Sequence, residues 1–183
     1  EEEDIRVLSH YIKKNGSGIV RILIINPNSD DQMTAQIQFS ARKYAFPGTV
    51  VDCTATPGAP IFIENYEDAL YCGLGMLQIM KEKEKEYDAF IVACHDDVNL
   101  EAIREQTDKL VLGIGEVSVK VATMLGHRFS VIQVTSRSVP IKEDLMLKYG
   151  VLGQCASVRP VDKHSKADNL EKIAQAGRLA IDQ

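Results

Sequence analysis

The sequence predicts an α/β fold with mostly parallel sheets flanked by helices. Residues 19–26 (IVRILIIN) and 89–93 (AFIVA) are apolar without alternation, which is typical of strands buried on both faces. Residues 31–44 and 66–87 carry apolar side chains at helical spacing. Because strands and helices alternate along the chain, parallel sheets with helices on their faces are expected.

The remaining elements continue this alternation. Further strands are predicted at residues 49–54, 110–114, 129–134 and 156–161, and further helices at 99–108, 116–125, 138–149 and 169–182. The core faces predicted for the first two helices are Met33, Ile37, Ala41 and Tyr44, and Ala69, Leu70, Leu74, Leu77 and Met80.

The elements fall into two half-cycles, which predict two pseudo-symmetric lobes at residues 19–115 and 116–183. Residues 1–18 form a separate N-terminal appendage with one weak helical face, and disorder is the alternative. The second lobe is expected to be incomplete, because the helix at 169–182 should lead to another parallel strand. The alternative is that this helix caps a small sheet.

Composition narrows the class of protein. The 183 residues are 45% hydrophobic and 26% charged, with a net charge of −5 and no long basic cluster, which argues against nucleic acid as a partner. No apolar run reaches membrane-spanning length and no signal peptide is visible, so no membrane association is expected. The four cysteines lie far apart without a CxxC pair, which is typical of reduced thiols and predicts a cytoplasmic location.

Cys94 is the candidate chemical centre. It ends the apolar run at 89–93 and precedes a predicted helix. Ligands of open α/β sheets bind at the carboxyl ends of strands. A helix N-terminus lowers the pKa of a nearby thiol, and the thiolate is the reactive form. The sequence therefore predicts a reactive Cys94.

Other kinds of site are less well supported. Residues 94–97 (CHDD) could suggest a metal centre, but adjacent residues rarely converge on one ion and no second ligand pair has suitable spacing, so no metal is expected. A cysteine hydrolase could pair Cys94 with His95, but the side chains of adjacent residues usually point apart. His127 or His164 would then have to act as the base.

The first strand is followed by Asn26-Pro27-Asn28-Ser29 and not by a glycine-rich turn, so neither a dinucleotide nor a P-loop site is expected. The amides of this turn, or the side chains of Asn28 and Ser29, could hold a carboxylate or imide oxygen. A turn with a helix cap explains the same residues. The glycines of Gly113-Ile114-Gly115-Glu116 permit a tight strand-to-helix turn, which structure alone explains.

Together these turns resemble those of hydantoin racemases, including allantoin racemases, of the aspartate/glutamate racemase superfamily. Ala93-Cys94 with Asp97 is similar to the family's first catalytic motif, Ala-Cys-Phe-Gly/Asp-Asp-Pro-Gly. The resemblance extends over about residues 20–183 and includes Asn26-Pro27-Asn28-Ser29 with Met33-Thr34, Thr56-Pro57, and residues 64–69, 111–116, 125–134 and 156–162.

The resemblance implies a cofactor-independent racemase without a metal, which acts on a small molecule, either a 5-substituted hydantoin or allantoin. It implies that the Cys94 thiolate removes the ring proton. It also implies a homo-oligomer. The residues expected to contact the substrate are Asn26, Asn28, Ser29, His95, Asp96 and Glu116.

Three departures from the family pattern bear on these expectations. His95 replaces the usual aromatic residue, and Val98-Asn99 replaces Pro-Gly. A second catalytic cysteine, in a Leu-Gly-Cys-Ala-Gly-Met strand, is expected after residue 182 and is not among the 183 residues; Cys155 does not match that motif. The alternatives are a related superfamily enzyme acting on an amino acid, maleate or an arylmalonate, or a catalytically inactive, ligand-binding homologue.

Overall fold

A computed structural model of the chain describes residues 18–161 and 169–181. It confirms the α/β prediction, with two parallel sheets. The first sheet has the strand order β2-β1-β3-β4 and the second pairs β5 with β6. The strands are β1 (Val20–Asn26), β2 (Thr49–Ala55), β3 (Ala89–Val92), β4 (Leu110–Gly113), β5 (Phe129–Gln133) and β6 (Cys155–Pro160).

Helices connect these strands and lie on their faces. They are α1 (Asp31–Tyr44), α2 (Tyr66–Lys83), α3 (Leu100–Arg104), α4 (Ile114–Leu125), α5 (Val139–Lys148) and α6 (Asn169–Ile181). Short 3₁₀ segments occupy Glu84–Glu86, Ser136–Ser138 and Leu152–Gln154. In the part of the chain that the structure describes, no helix combines the length and apolar character needed to span a bilayer.

Each sheet has its own apolar core. The first packs Ile25, Phe90 and Val92 of the central strands against Met76 and Met80 of α2. The second is smaller and consists of Val119, Val131, Met146, Tyr149 and Val151. Helix α4 starts directly after β4 of the first sheet and places Val119 in the second core. This helix therefore connects the carboxyl end of the first sheet with the core of the second sheet.

Several predicted element ends were wrong. Helix α3 covers only Leu100–Arg104, shorter than the predicted 99–108, whereas α4 begins two residues before the predicted start, at Ile114. The helix predicted at 66–87 ends at Lys83 and continues as a 3₁₀ turn. The side chains of Thr107 and Lys109 bond Glu84 there, so tertiary contacts shape both segments.

The predicted core faces of α1 and α2 were partly wrong. Tyr44, Leu70 and Leu74 are 78%, 75% and 79% exposed. Met80 is buried as predicted, and Leu77 packs against the core, but the other buried side chains of α2 are Cys72, Met76 and Ile79. The helix carries two apolar stripes, and the buried one contains Gly75, where an added Cβ would collide with the backbone of Pro57. Periodicity alone does not indicate which stripe faces the sheet.

The predicted appendage at 1–18 lies outside the described residues except for Gly18, and so does His164. The division into lobes at 19–115 and 116–183 stays a prediction. The second sheet consists of two strands among the described residues, and α6 packs on both of them.

Candidate active site

Cys94 lies at the point where the connections of the first sheet reverse direction. From β1 the chain crosses to β2 on one side and later to β3 on the other. Ile25 of β1 pairs with Val92 of β3, and the Ala93 amide donates to the Ile25 carbonyl at 2.9 Å. Ligands of open α/β sheets bind in the crevice beyond the strands at such a point. The predicted position of Cys94 at a central strand end is confirmed.

The Cys94 thiol is partly buried between its own turn and the core. It packs against the first apolar cluster. The backbone amides of Asp96 and Val98 hydrogen-bond its sulfur, and these amides favour the thiolate. Burial nevertheless dominates and raises the pKa of Cys94 above that of an ordinary thiol, and Asp96 and Asp97 add to the rise.

The prediction that a helix N-terminus depresses the pKa of Cys94 was therefore wrong. Helix α3 begins six residues after the cysteine and has only five residues, so its dipole is weak at the sulfur. Desolvation of a buried thiolate outweighs the two amide hydrogen bonds.

The turn after Cys94 is held by two residues with left-handed backbone, Asp97 (φ 45°) and Asn99 (φ 57°). Asparagine tolerates this conformation better than most residues. Asn99 also donates from Nδ2 to the Ala69 carbonyl of α2 at 2.7 Å. Its replacement of the family's usual glycine is thus compatible with the turn and adds a tether to α2.

Asp97 ties this turn to α4 and to the second core. Its buried carboxylate accepts from the amides of Gly115 at 2.9 Å and Glu116 at 2.6 Å, and from the Tyr149 hydroxyl at 2.7 Å. The two amides belong to the first turn of α4, where a carboxylate is favoured. Burial is the largest cause that raises the pKa of Tyr149, and the hydrogen bond and charge of Asp97 raise it further.

Asp97 lies against Gly113 and Gly115 and leaves no room for a side chain at either position. A Cβ at Gly115 would stand 2.7 Å from Asp97 Oδ2 and would also collide with the His95 carbonyl oxygen. A Cβ at Gly113 would collide with the same carboxylate. The sequence analysis attributed these glycines to a tight strand-to-helix turn. The structure adds that the turn binds the Asp97 carboxylate.

His95 and Asp96 contact the second sheet and α5. His95 Nδ1 lies 3.0 Å from Gln133 Oε1, at the carboxyl end of β5. Asp96 Oδ1 accepts from Gln133 Nε2 at 2.8 Å and lies 3.0 Å from the Lys142 ammonium. Lys142 is almost fully buried and also donates to the His95 carbonyl. Sequence reasoning missed Gln133 and Lys142; a polar residue ending a strand was the only signal for Gln133, and Lys142 offered none.

The turn after β1 follows the strand that pairs with β3, but its polar groups already have partners. Asn26 Nδ2 donates to Asn28 Oδ1 at 2.7 Å and to Thr34 Oγ1 at 2.9 Å. The Ser29 amide donates to the Pro60 carbonyl, and the Asn28 amide to Asn26 Oδ1. Asp30 caps α1 by accepting from the Met33 amide.

These contacts leave the Ser29 hydroxyl as the open polar group of the turn, since no hydrogen bond joins it to another described residue. The substrate contacts expected of Asn26 and Asn28 stay predictions. The same holds for Glu116, whose carboxylate forms a 2.7 Å ion pair with Arg104.

The other cysteines differ from Cys94 in their surroundings. Cys72 is fully buried and donates to the Asp68 carbonyl, and burial raises its pKa to about 11. Cys53 lies on β2, away from the turn, and burial raises its pKa to about 11 as well. Among the described residues, no group of three or more His, Cys, Asp or Glu side chains is arranged to hold a metal ion.

Comparison with known proteins decides the family. The model of the Asp/Glu/Hydantoin racemase family matches residues 22–181, most of the chain. The chain belongs to this family. Family membership identifies an enzyme of the racemase class and confirms the resemblance inferred from the turns.

Individual relatives agree with this assignment. A hydantoin racemase of Pseudomonas sp. (strain NS671) is 34% identical over 171 residues, which are 90% of this chain and 69% of that protein. A hydantoin racemase of Rhizobium meliloti is 40% identical over 144 residues, and the match covers 78% of this chain and 60% of the relative. The chain thus spans about two thirds of the length of these racemases.

A solved structure extends the similarity to the fold. Allantoin racemase from Klebsiella pneumoniae superposes with a TM-score of 0.84 at 30% identity, covering 90% of this chain and 70% of that protein. The chain therefore shares the fold of this allantoin racemase over most of its length.

Proposed function

We propose that the full-length protein racemises 5-substituted hydantoins or allantoin, with Cys94 as the group that removes the proton from the ring carbon. The observation that carries the proposal is the Cys94 thiol at the reversal point of the sheet, with the amides of Asp96 and Val98 directed at its sulfur. The relatedness to hydantoin racemases and the similarity to an allantoin racemase support the substrate class.

The proton removal needs only a thiolate and a substrate with an acidified C–H bond. Carbon 5 of a hydantoin is flanked by a carbonyl, so the electron pair left after deprotonation moves onto that oxygen as an enolate. The Cys94 thiolate becomes a thiol in this step. The amides of Asp96 and Val98 lower the free energy of the thiolate before the transfer.

Inversion requires that a proton return to the opposite face of the carbon. In the related family this acid is a second cysteine, in a motif that the 183 residues do not include. We assign no other described residue to this role. We assign the Ser29 hydroxyl as a donor to the enolate oxygen, because the Asn28 and Ser29 amides already have partners.

Polarimetry with a single enantiomer of a 5-substituted hydantoin, and separately of allantoin, tests the proposal. The full-length protein should abolish the optical rotation of at least one of them. Cys94→Ala should lower the rate by about 10²–10⁴-fold, the usual contribution of general acid–base catalysis. Cys53→Ala is the matched control, because Cys53 is a half-buried thiol on β2, and it should racemise normally.

Ring opening in place of racemisation would indicate a hydrolase and would contradict the proposal. Saturable binding of both compounds without turnover would indicate a ligand-binding homologue. Racemisation that persists in Cys94→Ala would contradict the role of Cys94 while leaving the substrate class intact.

A further inference from the structure

Gln133 has only one orientation that fits its neighbours. Its side chain is 2% exposed, and its Nε2 lies 2.8 Å from Asp96 Oδ1 and 3.3 Å from the Ser138 carbonyl oxygen, both of which only accept. Its Oε1 lies 3.2 Å from the Val134 amide, which only donates. Exchanging the amide nitrogen and oxygen would place acceptors against acceptors and a donor against a donor.

This orientation determines the proton on His95. Gln133 Oε1 is an acceptor, so His95 Nδ1, at 3.0 Å, must be the donor. Asp96 Oδ1 lies 3.8 Å from the same nitrogen and is a second acceptor on that side. In a neutral imidazole with hydrogen on Nδ1, the other nitrogen, Nε2, carries a lone pair and accepts hydrogen bonds.

Burial and the neighbouring Lys142 ammonium both favour the neutral imidazole. The Lys142 ammonium is 1% exposed, lies 3.0 Å from Asp96 Oδ1 and donates to the His95 carbonyl. Burial first, and the charge of Lys142 second, lower the pKa of His95, against Asp96, Asp97 and the Gln133 hydrogen bond, which raise it. Lys142 also pairs with the Asp96 carboxylate, so the two charges next to the imidazole oppose each other.

The open side of His95 faces away from this network. The side chain is 46% exposed, and Nε2 forms no hydrogen bond with another described residue. His95 directly follows Cys94 and lies in the same turn as Asp96 and Val98, whose amides hydrogen-bond the sulfur. The half-exposed imidazole thus offers a hydrogen-bond acceptor on the turn that carries the Cys94 thiol.

We propose that Gln133, Asp96 and Lys142 hold His95 as the neutral Nδ1–H tautomer, so that its Nε2 accepts a hydrogen bond from an N–H group of the substrate. His95 is then a specificity-determining residue, and Gln133 and Lys142 are positioning residues that act through it. The substrate class is that of ring imides and ureas with N–H donors beside an acidified C–H. This inference rests on the proposed function for the substrate, but the tautomer stands on geometry alone.

The tautomer is tested by two-bond ¹H–¹⁵N NMR on the full-length protein labelled with ¹⁵N-histidine, without substrate, at neutral pH. The His95 signals are assigned by their disappearance in His95→Asn. The expected spectrum has a protonated Nδ1 and an unprotonated Nε2. An Nε2–H tautomer or an imidazolium at neutral pH would overturn the proposal.

Variants separate positioning from mere folding. Gln133→Met removes the nearer of the two acceptors at Nδ1 with little change in volume, so the fraction of the Nε2–H tautomer of His95 should rise while the protein stays folded. His127→Asn, at an exposed site, is the matched control and should leave the His95 signals unchanged. If Gln133→Met does not fold, the wild-type spectrum alone still decides the tautomer.

The acceptor role is tested with N1-methyl and N3-methyl derivatives of a hydantoin substrate. Methylation of the nitrogen that donates to His95 should raise KM more than methylation of the other nitrogen. The ratio of the two KM values should fall about tenfold in His95→Phe, which corresponds to the loss of one neutral hydrogen bond. An unchanged ratio in His95→Phe would overturn the acceptor role. The NMR result does not depend on turnover, so failure of the proposed function and failure of this inference are distinguishable.

Discussion

At the scale of single residues, the reactivity of Cys94 is a balance between burial and two amide hydrogen bonds. Burial is the larger effect and raises the pKa of the thiol. A thiol whose pKa is raised holds little thiolate near neutral pH, and each rise of one pH unit increases that fraction about tenfold until the pKa is reached. Proton abstraction should therefore be faster in mildly alkaline solution.

Alkylation by iodoacetamide measures this balance. The rate constant for Cys94, followed by mass spectrometry of its peptide, should increase about tenfold per pH unit between pH 7 and 9 without levelling off. A free cysteine in a short peptide, with its pKa near 8.5, should level off within that range. Levelling off of the Cys94 rate below pH 8 would contradict the raised pKa.

Asp97 is the residue on which the geometry of the Cys94 turn most depends. Replacing it by alanine leaves two amides of α4 and the Tyr149 hydroxyl without their acceptor. Asp97→Ala should lower the free energy of unfolding by about 3 kcal/mol, the usual cost of breaking a buried, charged hydrogen-bond network. Urea denaturation followed by circular dichroism measures the loss.

The control for Asp97 is an exposed acid in an ordinary surface ion pair. Glu86 pairs with Lys83 three residues before it, and both side chains are about half exposed. Glu86→Gln should change the free energy of unfolding by less than about 0.5 kcal/mol. Equal effects of the two substitutions would show that Asp97 does not organise the turn.

At the scale of elements, the turn between β4 and α4 needs glycine because the Cys94 turn lies against it. A methyl group at Gly115 would push on the His95 carbonyl and on Asp97. Gly115→Ala should therefore reduce racemisation strongly, by about tenfold or more, because small displacements of catalytic groups are costly. Gly153→Ala is the matched control, since no atom lies within 4 Å of the added Cβ there, and it should racemise normally.

The elements also show how far the sequence predicts the structure. The buried strands β1 and β3, and the position of Cys94 after β3, follow from unbroken apolar runs. Which face of α2 is buried does not follow, because Leu70 and Leu74 look as apolar as Met76 and Ile79. The choice is made by the fit of Gly75 against the Pro57 backbone, a contact between distant residues.

The candidate site shows the same limit. Residues 26–29 and 94–97 were found because they follow strands, but the sequence did not indicate that the amides of Asn28 and Ser29 are already bonded. Gln133 and Lys142 were missed because they reach the Cys94 turn from the second sheet and from α5. Contacts between elements 37 or more residues apart leave no local pattern.

At the scale of the whole molecule, the two sheets are joined through the residues after Cys94. His95, Asp96 and Asp97 contact Gln133, Lys142 and Tyr149 respectively. Relative movement of the two layers would therefore break the network at the thiol. We expect the two layers to unfold together, as one cooperative transition, in denaturant titrations.

We propose that the protein self-associates through the exposed stripe of α2, formed by Tyr66, Leu70 and Leu74. These side chains follow each other at intervals of four residues and are more than 60% exposed, so they form one apolar ridge. Size-exclusion chromatography with light scattering should show an oligomer that Leu74→Glu dissociates. Leu147→Glu, at an exposed leucine on α5, should leave it intact; a monomeric wild-type protein would contradict the proposal.

The central claim is that Cys94 removes the proton from the substrate carbon, and solvent exchange measures that step directly. In heavy water, ¹H NMR should show the C5 proton of a hydantoin or allantoin replaced by deuterium in the presence of the full-length protein. Cys94→Ser, which retains the shape of the side chain but not its acidity, should abolish the exchange, whereas Cys53→Ala should not alter it. Exchange at the wild-type rate in Cys94→Ser would contradict the account.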